Sequence, residues 1–232
     1  MPNLFILTIK SAAGIFIQFT IFSLFILGPS GNLYWDEGLV WLLSYLLVVF
    51  PGTIYLLLKN PKSIEARFRV RSRKMPPGDR AATLFLVIAL AVGIVLCPMD
   101  VFYWQIAAAP TGTLKIIGLI IFIVGLMMVM ASMAVNEFVA PTVHIQEEEG
   151  HKLIDSGVYA YVRHPMYTGF VLFMLGSFLW LGTYFSLIAG SILTASGLFL
   201  RIRIEEKALI HSPDGYEQYM KKVKSRIIPF II

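Results

Sequence analysis

The chain predicts an all-α integral membrane protein with about six transmembrane helices, including a short helical hairpin. Three observations carry that expectation. First, 57% of the 232 residues are hydrophobic and only 14% are charged, at a mean hydropathy of +0.76, whereas soluble domains carry about a quarter charged residues. Second, four apolar runs, about Leu4–Leu27, Tyr34–Leu58, Ala81–Tyr103 and Leu114–Val135, reach the ~20 residues that a helix needs to cross a ~30 Å hydrocarbon core. Third, a fifth apolar region, Met166–Leu200, has 35 residues; as one helix it would be ~52 Å long and so must fold back.

The first run lacks the basic flank, short apolar core and small-residue cleavage site of a signal peptide and reads as a retained span. The second and third runs are separated by "KNPKSIEARFRVRSRKMPPGDR", which holds eight Lys/Arg. A basic loop of this kind sets topology and lies against anionic lipid. The fifth region turns at "LGT", Leu181 to Thr183, where glycine permits a positive φ and threonine caps the following helix. Two short antiparallel spans result, bringing the number of crossings to six. With both termini cytoplasmic, the basic loop and the nine Lys/Arg from Lys152 onward fall on one side, while Asp36, Glu37 and Asp100 fall on the other. Only Lys10 and Lys115 are left over.

The character of the chain changes near residue 136. Residues 1–135 are four plain spans; residues 136–232 concentrate the polar groups, in "NEFVAPTVHIQEEEGHKLIDSGVYAYVRHPMY" and "RIRIEEKALIHSPDGYEQYMKKVKSRIIPF", on either side of the hairpin. Folding the hairpin brings these two segments together. The formal charge of +5 does not indicate nucleic acid here, because basic patches in membrane proteins face lipid headgroups. Cys97 lies inside an apolar run and reads as a small hydrophobe. No metal site is assigned, and no inverted repeat of the transporter kind is present.

"GVYAYVRHPMYTG", Gly157 to Gly169, places Arg163, His164 and three tyrosines immediately before a hydrophobic run. Ionisable groups at the mouth of a membrane segment are costly unless they face protein or water, so they mark a functional site. Each tyrosine alone also suits an interfacial anchor, Pro165 suits a helix start, and Glu147–Glu149 suit a solvated loop. If the helix after the hairpin continues past Leu200, Arg201 and Glu205 share one face, with Glu206 turned about 100° away. The pair is either an intrahelical ion pair or one wall of a pocket opposite Arg163 and His164.

"HKLIDSGVYAYVRHPMYTG", an apolar hairpin, then "RIRIEEKALIHSPDGYEQYMKKVKSRIIPFI" together resemble the isoprenylcysteine carboxyl methyltransferase family over about residues 137–231. The resemblance rests on H-x-L, S-G-V-Y, R-H-P-x-Y-x-G, R-x-x-x-E-E, G-Y and I-P-F in that order. It implies a membrane enzyme that transfers a methyl group from S-adenosylmethionine to a prenylated cysteine carboxylate, leaving S-adenosylhomocysteine. By resemblance, the cofactor contacts are His151, Lys152, Leu153, Ile154, Tyr159, His164, Pro165, Met166, Tyr167 and Glu205, with His144 a looser match. Arg201 looks like the catalytic and substrate-binding residue, the clamp on the acceptor carboxylate.

The residues agree with that implication without relying on it. No G-x-G-x-x-G follows a strand, so a nucleotide-like cofactor must be held by helices and loops around the polar segments. Tyr159, Tyr161 and Tyr167 offer rings, Glu205 or Glu206 offers an acceptor for ribose or ammonium, and ring faces suit a sulfonium. Arg201 offers a planar fork for a carboxylate. A carboxylate is already ionised at neutral pH, so no general base is needed. Cofactor then enters from the cytoplasm and a lipophilic acceptor from the bilayer. N- or S-methylation of a phospholipid or small thiol is the alternative within the class. An NADPH-dependent membrane reductase and a non-enzymatic transporter or assembly factor are alternatives outside it. The sequence is silent on oligomeric state.

Overall fold

The computed structural model describes residues 3–68, 78–136, 153–210 and 215–229. Eight α-helices run through them: α1 Leu4–Ser30, α2 Asp36–Lys59, α3 Pro61–Phe68, α4 Asp79–Met99, α5 Gly112–Val135, α6 Pro165–Leu181, α7 Tyr184–Ile210 and α8 Tyr216–Lys222. A π-helical turn, Asp100–Trp104, extends α4, and a 3₁₀ turn spans Gly157–Ala160. No strand occurs among the described residues. The four plain spans therefore fall close to where the apolar runs put them.

Five helices, α1, α2, α4 with its π turn, α5 and α7, are long and apolar enough to cross a membrane. The sixth apolar helix, α6, has 17 residues, or ~26 Å, which is just short of the core thickness. The expected helical hairpin is present, with α7 continuing past the apolar stretch that ends at Leu200. Only α6 is short; α7 runs unbroken for 27 residues, ~40 Å, and carries Arg201 to Glu206 on its last turns. Leu and Ile in the cores of both helices favour continuation, and nothing breaks α7 before Ile210. Outward faces are apolar throughout, with Phe5, Phe16, Leu24, Leu47, Leu84 and Ile188 exposed, as lipid-facing surfaces should be.

Close backbone approach fixes α6 against α5. A Cβ on Gly176 would overlap the backbone nitrogen of Phe122, and one on Gly125 would overlap that of Phe173. Small residues at a helix seam let backbones meet where no hydrophobic drive exists between helices in lipid. Around this seam lies an aromatic core. Trp41 stacks parallel to Tyr45, meets Phe122 at 4.8 Å between ring centroids, and donates from Nε1 to Ser177 Oγ at 2.9 Å. With Phe178 and Met174 it ties α2, α5 and α6 into one unit.

The α6–α7 turn falls at Gly182 and Thr183 as expected, but glycine is required there for a different reason. Gly182 has φ −109°, which any residue can adopt. What a side chain could not do is share the space already taken by Ser186 Oγ, the Phe178 carbonyl and Cys97 Sγ. The capping role of threonine is met: Ser186 N donates to Thr183 Oγ1 at 3.2 Å, and Thr183 N donates to Ser186 Oγ at 2.8 Å. Thr183 Oγ1 also donates to Asp100, which is fully buried.

Candidate active site

The other end of the α6–α7 hairpin is open and charged. His164 precedes α6 and Pro165 begins it, where the missing N–H costs nothing. The segment after α8 folds back onto this start. Arg163 N donates to Ser225 O at 3.0 Å, His164 N to Arg226 O at 2.9 Å, and Thr168 Oγ1 to Ile227 O at 2.6 Å. Arg163 adds two bonds from Nη1, to Val223 O at 2.7 Å and Lys224 O at 2.6 Å. Residues 223–227 thus lace the R-H-P segment in place, a function the sequence did not reveal.

The two adjacent glutamates of α7 are used differently. Glu206 is buried and accepts from Arg163 Nε at 2.9 Å on one oxygen and from Arg226 Nε at 3.0 Å on the other. His164 Nε2 lies 3.3 Å from the same carboxylate. Three basic side chains therefore surround it, as a buried carboxylate requires. Glu205, only half-buried, accepts one bond, from Tyr167 Oη at 2.6 Å. One of its oxygens has no partner among the described residues. One residue step along the helix, about 100°, separates the roles.

Arg201 is placed otherwise than the sequence suggests. It is buried and forms an ion pair with Asp79, in the first turn of α4. The residue facing Arg163 and His164 is Glu206, not Arg201, and Glu205 bonds Tyr167 rather than forming an intrahelical pair. Sequence spacing identified who shares a helix face; α4 supplied the partner that spacing could not see.

The tyrosines separate as well. Tyr159 and Tyr167 are buried, whereas Tyr161 is 71% exposed and cannot wall a pocket. The Tyr159 phenol is pushed up by burial, partly offset by its hydrogen bond with Asn136, so it stays a neutral donor. Tyr219 Oη donates to Tyr159 O at 2.7 Å and holds the 3₁₀ turn to α8. Tyr167 stacks on His164, ring centroids 5.6 Å apart. Gly157 takes φ +60° to make the turn, and Gly169 packs against the Gly125 carbonyl. Leu153 packs on the Tyr216–Tyr219–Val223 cluster, and Ile154 is half-buried. His144, His151 and Lys152 lie outside the described residues.

Arg67, at the end of α3, was read only as part of a basic loop. Its Nη2 reaches Met166 Sδ at 3.8 Å, so α3 closes one side of the site. Arg67, Met166, Tyr159, Tyr167 and Glu205 form one contiguous group at the open end of the bundle. No group of three or more potential metal ligands occurs among the described residues.

Fold and site together define a polytopic helical membrane protein with a cluster of charged and aromatic side chains at one end of a helical hairpin. Residues 115–211 match the sequence model of the Isoprenylcysteine carboxyl methyltransferase (ICMT) family, the family that the motifs resemble. A protein-S-isoprenylcysteine O-methyltransferase of Schizosaccharomyces pombe is 39% identical over 101 residues, 43% of this chain and 41% of that protein. A probable protein-S-isoprenylcysteine O-methyltransferase of Oryza sativa subsp. indica is 28% identical over 196 residues, 82% of this chain and 96% of that one. The chain thus spans less than half of the fission-yeast relative and nearly all of the rice one. The structure of a eukaryotic intramembrane Ras methyltransferase, ICMT, superposes with a TM-score of 0.51 at 17% identity, covering 100% of this chain and 99% of that chain. At that identity the likeness is one of fold.

Proposed function

We propose that the chain is an S-adenosylmethionine-dependent methyltransferase that esterifies the carboxylate of a lipophilic, isoprenylcysteine-like acceptor. The observation that carries the reading is the division of labour between Glu206, saturated by three basic side chains, and Glu205, held by a single phenol beside buried Tyr159 and Tyr167. A half-exposed carboxylate with an open oxygen, next to ring faces and a thioether, fits a cationic, nucleoside-bearing donor. The region that matches the family contains all of these residues except Arg226 and the α3 side of the site.

Bound S-adenosylmethionine would supply an electrophilic methyl group on a sulfonium. Glu205 would accept from its ribose or ammonium, while Tyr159, His164, Pro165, Met166 and Tyr167 line the slot, with Leu153 and Ile154 behind. His144, His151 and Lys152 are assigned to the same donor side by resemblance. Arg201 is kept on the acceptor side. With Asp79 beside it, what it contributes is directed hydrogen bonding from a fixed planar fork rather than net charge. With donor and acceptor held in line by these residues, the acceptor's carboxylate oxygen would take the methyl group and the cofactor would supply a neutral sulfur to carry away the electron pair. Nucleophile and electrophile lose their charges together, a reaction favoured where water is excluded and geometry is held. We place this end of the bundle on the cytoplasmic side, on the strength of its Lys/Arg excess.

Purified protein incubated with methyl-labelled cofactor and S-farnesylcysteine should yield label that mild base releases as methanol. Base-stable label would move the assignment to N- or S-methylation, and NADPH binding without adenosylhomocysteine binding would move it to a reductase.

A further inference from the structure

Arg67, half-buried as a residue, differs from the two buried arginines among the described residues. Arg163 has Glu206 and two carbonyls; Arg201 has Asp79. The Arg67 Nε is buried without a hydrogen-bond partner, and the one bond its side chain makes among the described residues is the weak contact to Met166 Sδ at 3.8 Å. Burial pulls its guanidinium down to about 10, with the neighbouring Tyr159 phenol pulling the other way; it remains a cation at neutral pH. A guanidinium with a buried Nε and no anion among the described residues is unfavourable, and an anion arriving from outside would relieve it.

Charge accounting at the pocket points the same way. Arg201 and Asp79 cancel, Glu206 is shared by Arg163 and Arg226 and so leaves one arginine charge over, and Glu205 adds a negative charge. α6 carries no Lys or Arg, and the α7 cations outside an ion pair, Arg203 and Lys207, are exposed. Arg67 supplies one from α3, one residue along α6 from Tyr167 through its contact with Met166.

We propose that Arg67 receives the acceptor's carboxylate and so selects anionic over neutral lipophilic molecules, a proposal that rests on the methyl-transfer reading above. Guanidinium and carboxylate match as two parallel hydrogen bonds. Because the ester product is neutral, the same residue would hold substrate more tightly than product and favour release. The cofactor's own amino-acid carboxylate presents the same chemistry, and the test separates the two sources.

The experiment compares binding of S-farnesylcysteine and its carboxamide counterpart to the full chain in detergent, with adenosylhomocysteine present. Wild-type protein should prefer the carboxylate by about tenfold or more, and Arg67→Met should bring the two within about threefold, with adenosylhomocysteine affinity unchanged. Its thermal midpoint should not fall, since an apolar side chain replaces a buried unpaired charge; a structural role would lower it. Arg67→Lys should retain part of the preference, having charge without the fork. An unaltered preference in Arg67→Met, or none in wild type, overturns the proposal. So does a variant that keeps this preference but no longer distinguishes adenosylhomocysteine from its decarboxylated analogue, which would make the cofactor carboxylate the occupant. Ester formation is scored separately: wild-type protein with the preference but without ester contradicts the methyl-transfer reading and leaves Arg67 supported.

Discussion

The two ends of the α6–α7 hairpin both bury a carboxylate in an apolar bundle, and they satisfy it in opposite ways. At the turn, Asp100 is met by neutral donors only, the Thr183 hydroxyl and Ile106 N at 2.8 Å, and Thr183 is itself locked by Ser186. Every group there is consumed within the chain. At the open end Glu206 collects Arg163, His164 and Arg226, while Glu205, one residue earlier, is left with Tyr167 alone. Neutral donors close a structure; an excess of charge with one carboxylate under-used leaves capacity for a ligand. The turn end therefore reads as architecture and the open end as a site whose architecture is Glu206.

That contrast is broken most severely at Glu206. Glu206→Gln leaves Arg163 buried without its counter-charge and loosens residues 223–227 from α6. A loss of about 3–5 kcal/mol is expected, seen as a large drop in thermal midpoint in detergent and loss of adenosylhomocysteine binding. If the midpoint holds, Glu206 is not the anchor. Asp100→Asn should cost less, about 1–3 kcal/mol, because one neutral acceptor remains for the hydroxyl while the amide adds a mismatched donor. Calorimetry on that variant should find wild-type cofactor affinity; weakened binding would mean the two ends are coupled.

Much of this fold was legible in the sequence, because bilayer thickness limits helix length. The four plain runs and the impossibility of 35 apolar residues in one span led to α1, α2, α4 and α5 and to a turn at Leu181–Thr183. Charge placement fits too: Lys115 pairs with Glu37 at 2.5 Å, and Lys10 sits over the Phe68 ring at 5.9 Å beside the basic loop. What could not be read were partners across helices. Arg201 shares a helix face with Glu205, yet Asp79 of α4 takes it, since helical periodicity says nothing about a neighbour 122 positions away. Arg67 was hidden among eight Lys/Arg whose collective role is topological. The burial of its Nε, which no sequence pattern shows, is what singles it out. Gly182 was located correctly and explained wrongly, because close approach and positive φ leave the same letter in a sequence.

The smallest structural perturbation carries the most direct test. Glu205→Gln keeps the volume of the side chain and an oxygen for the Tyr167 hydroxyl, so unfolding free energy should stay within about 1 kcal/mol of wild type. Adenosylhomocysteine affinity, measured by calorimetry on the same preparation, should fall by about tenfold, the loss of one charge-assisted hydrogen bond. Wild-type affinity in a folded Glu205→Gln protein would contradict the assignment of the open end of the hairpin as the cofactor site.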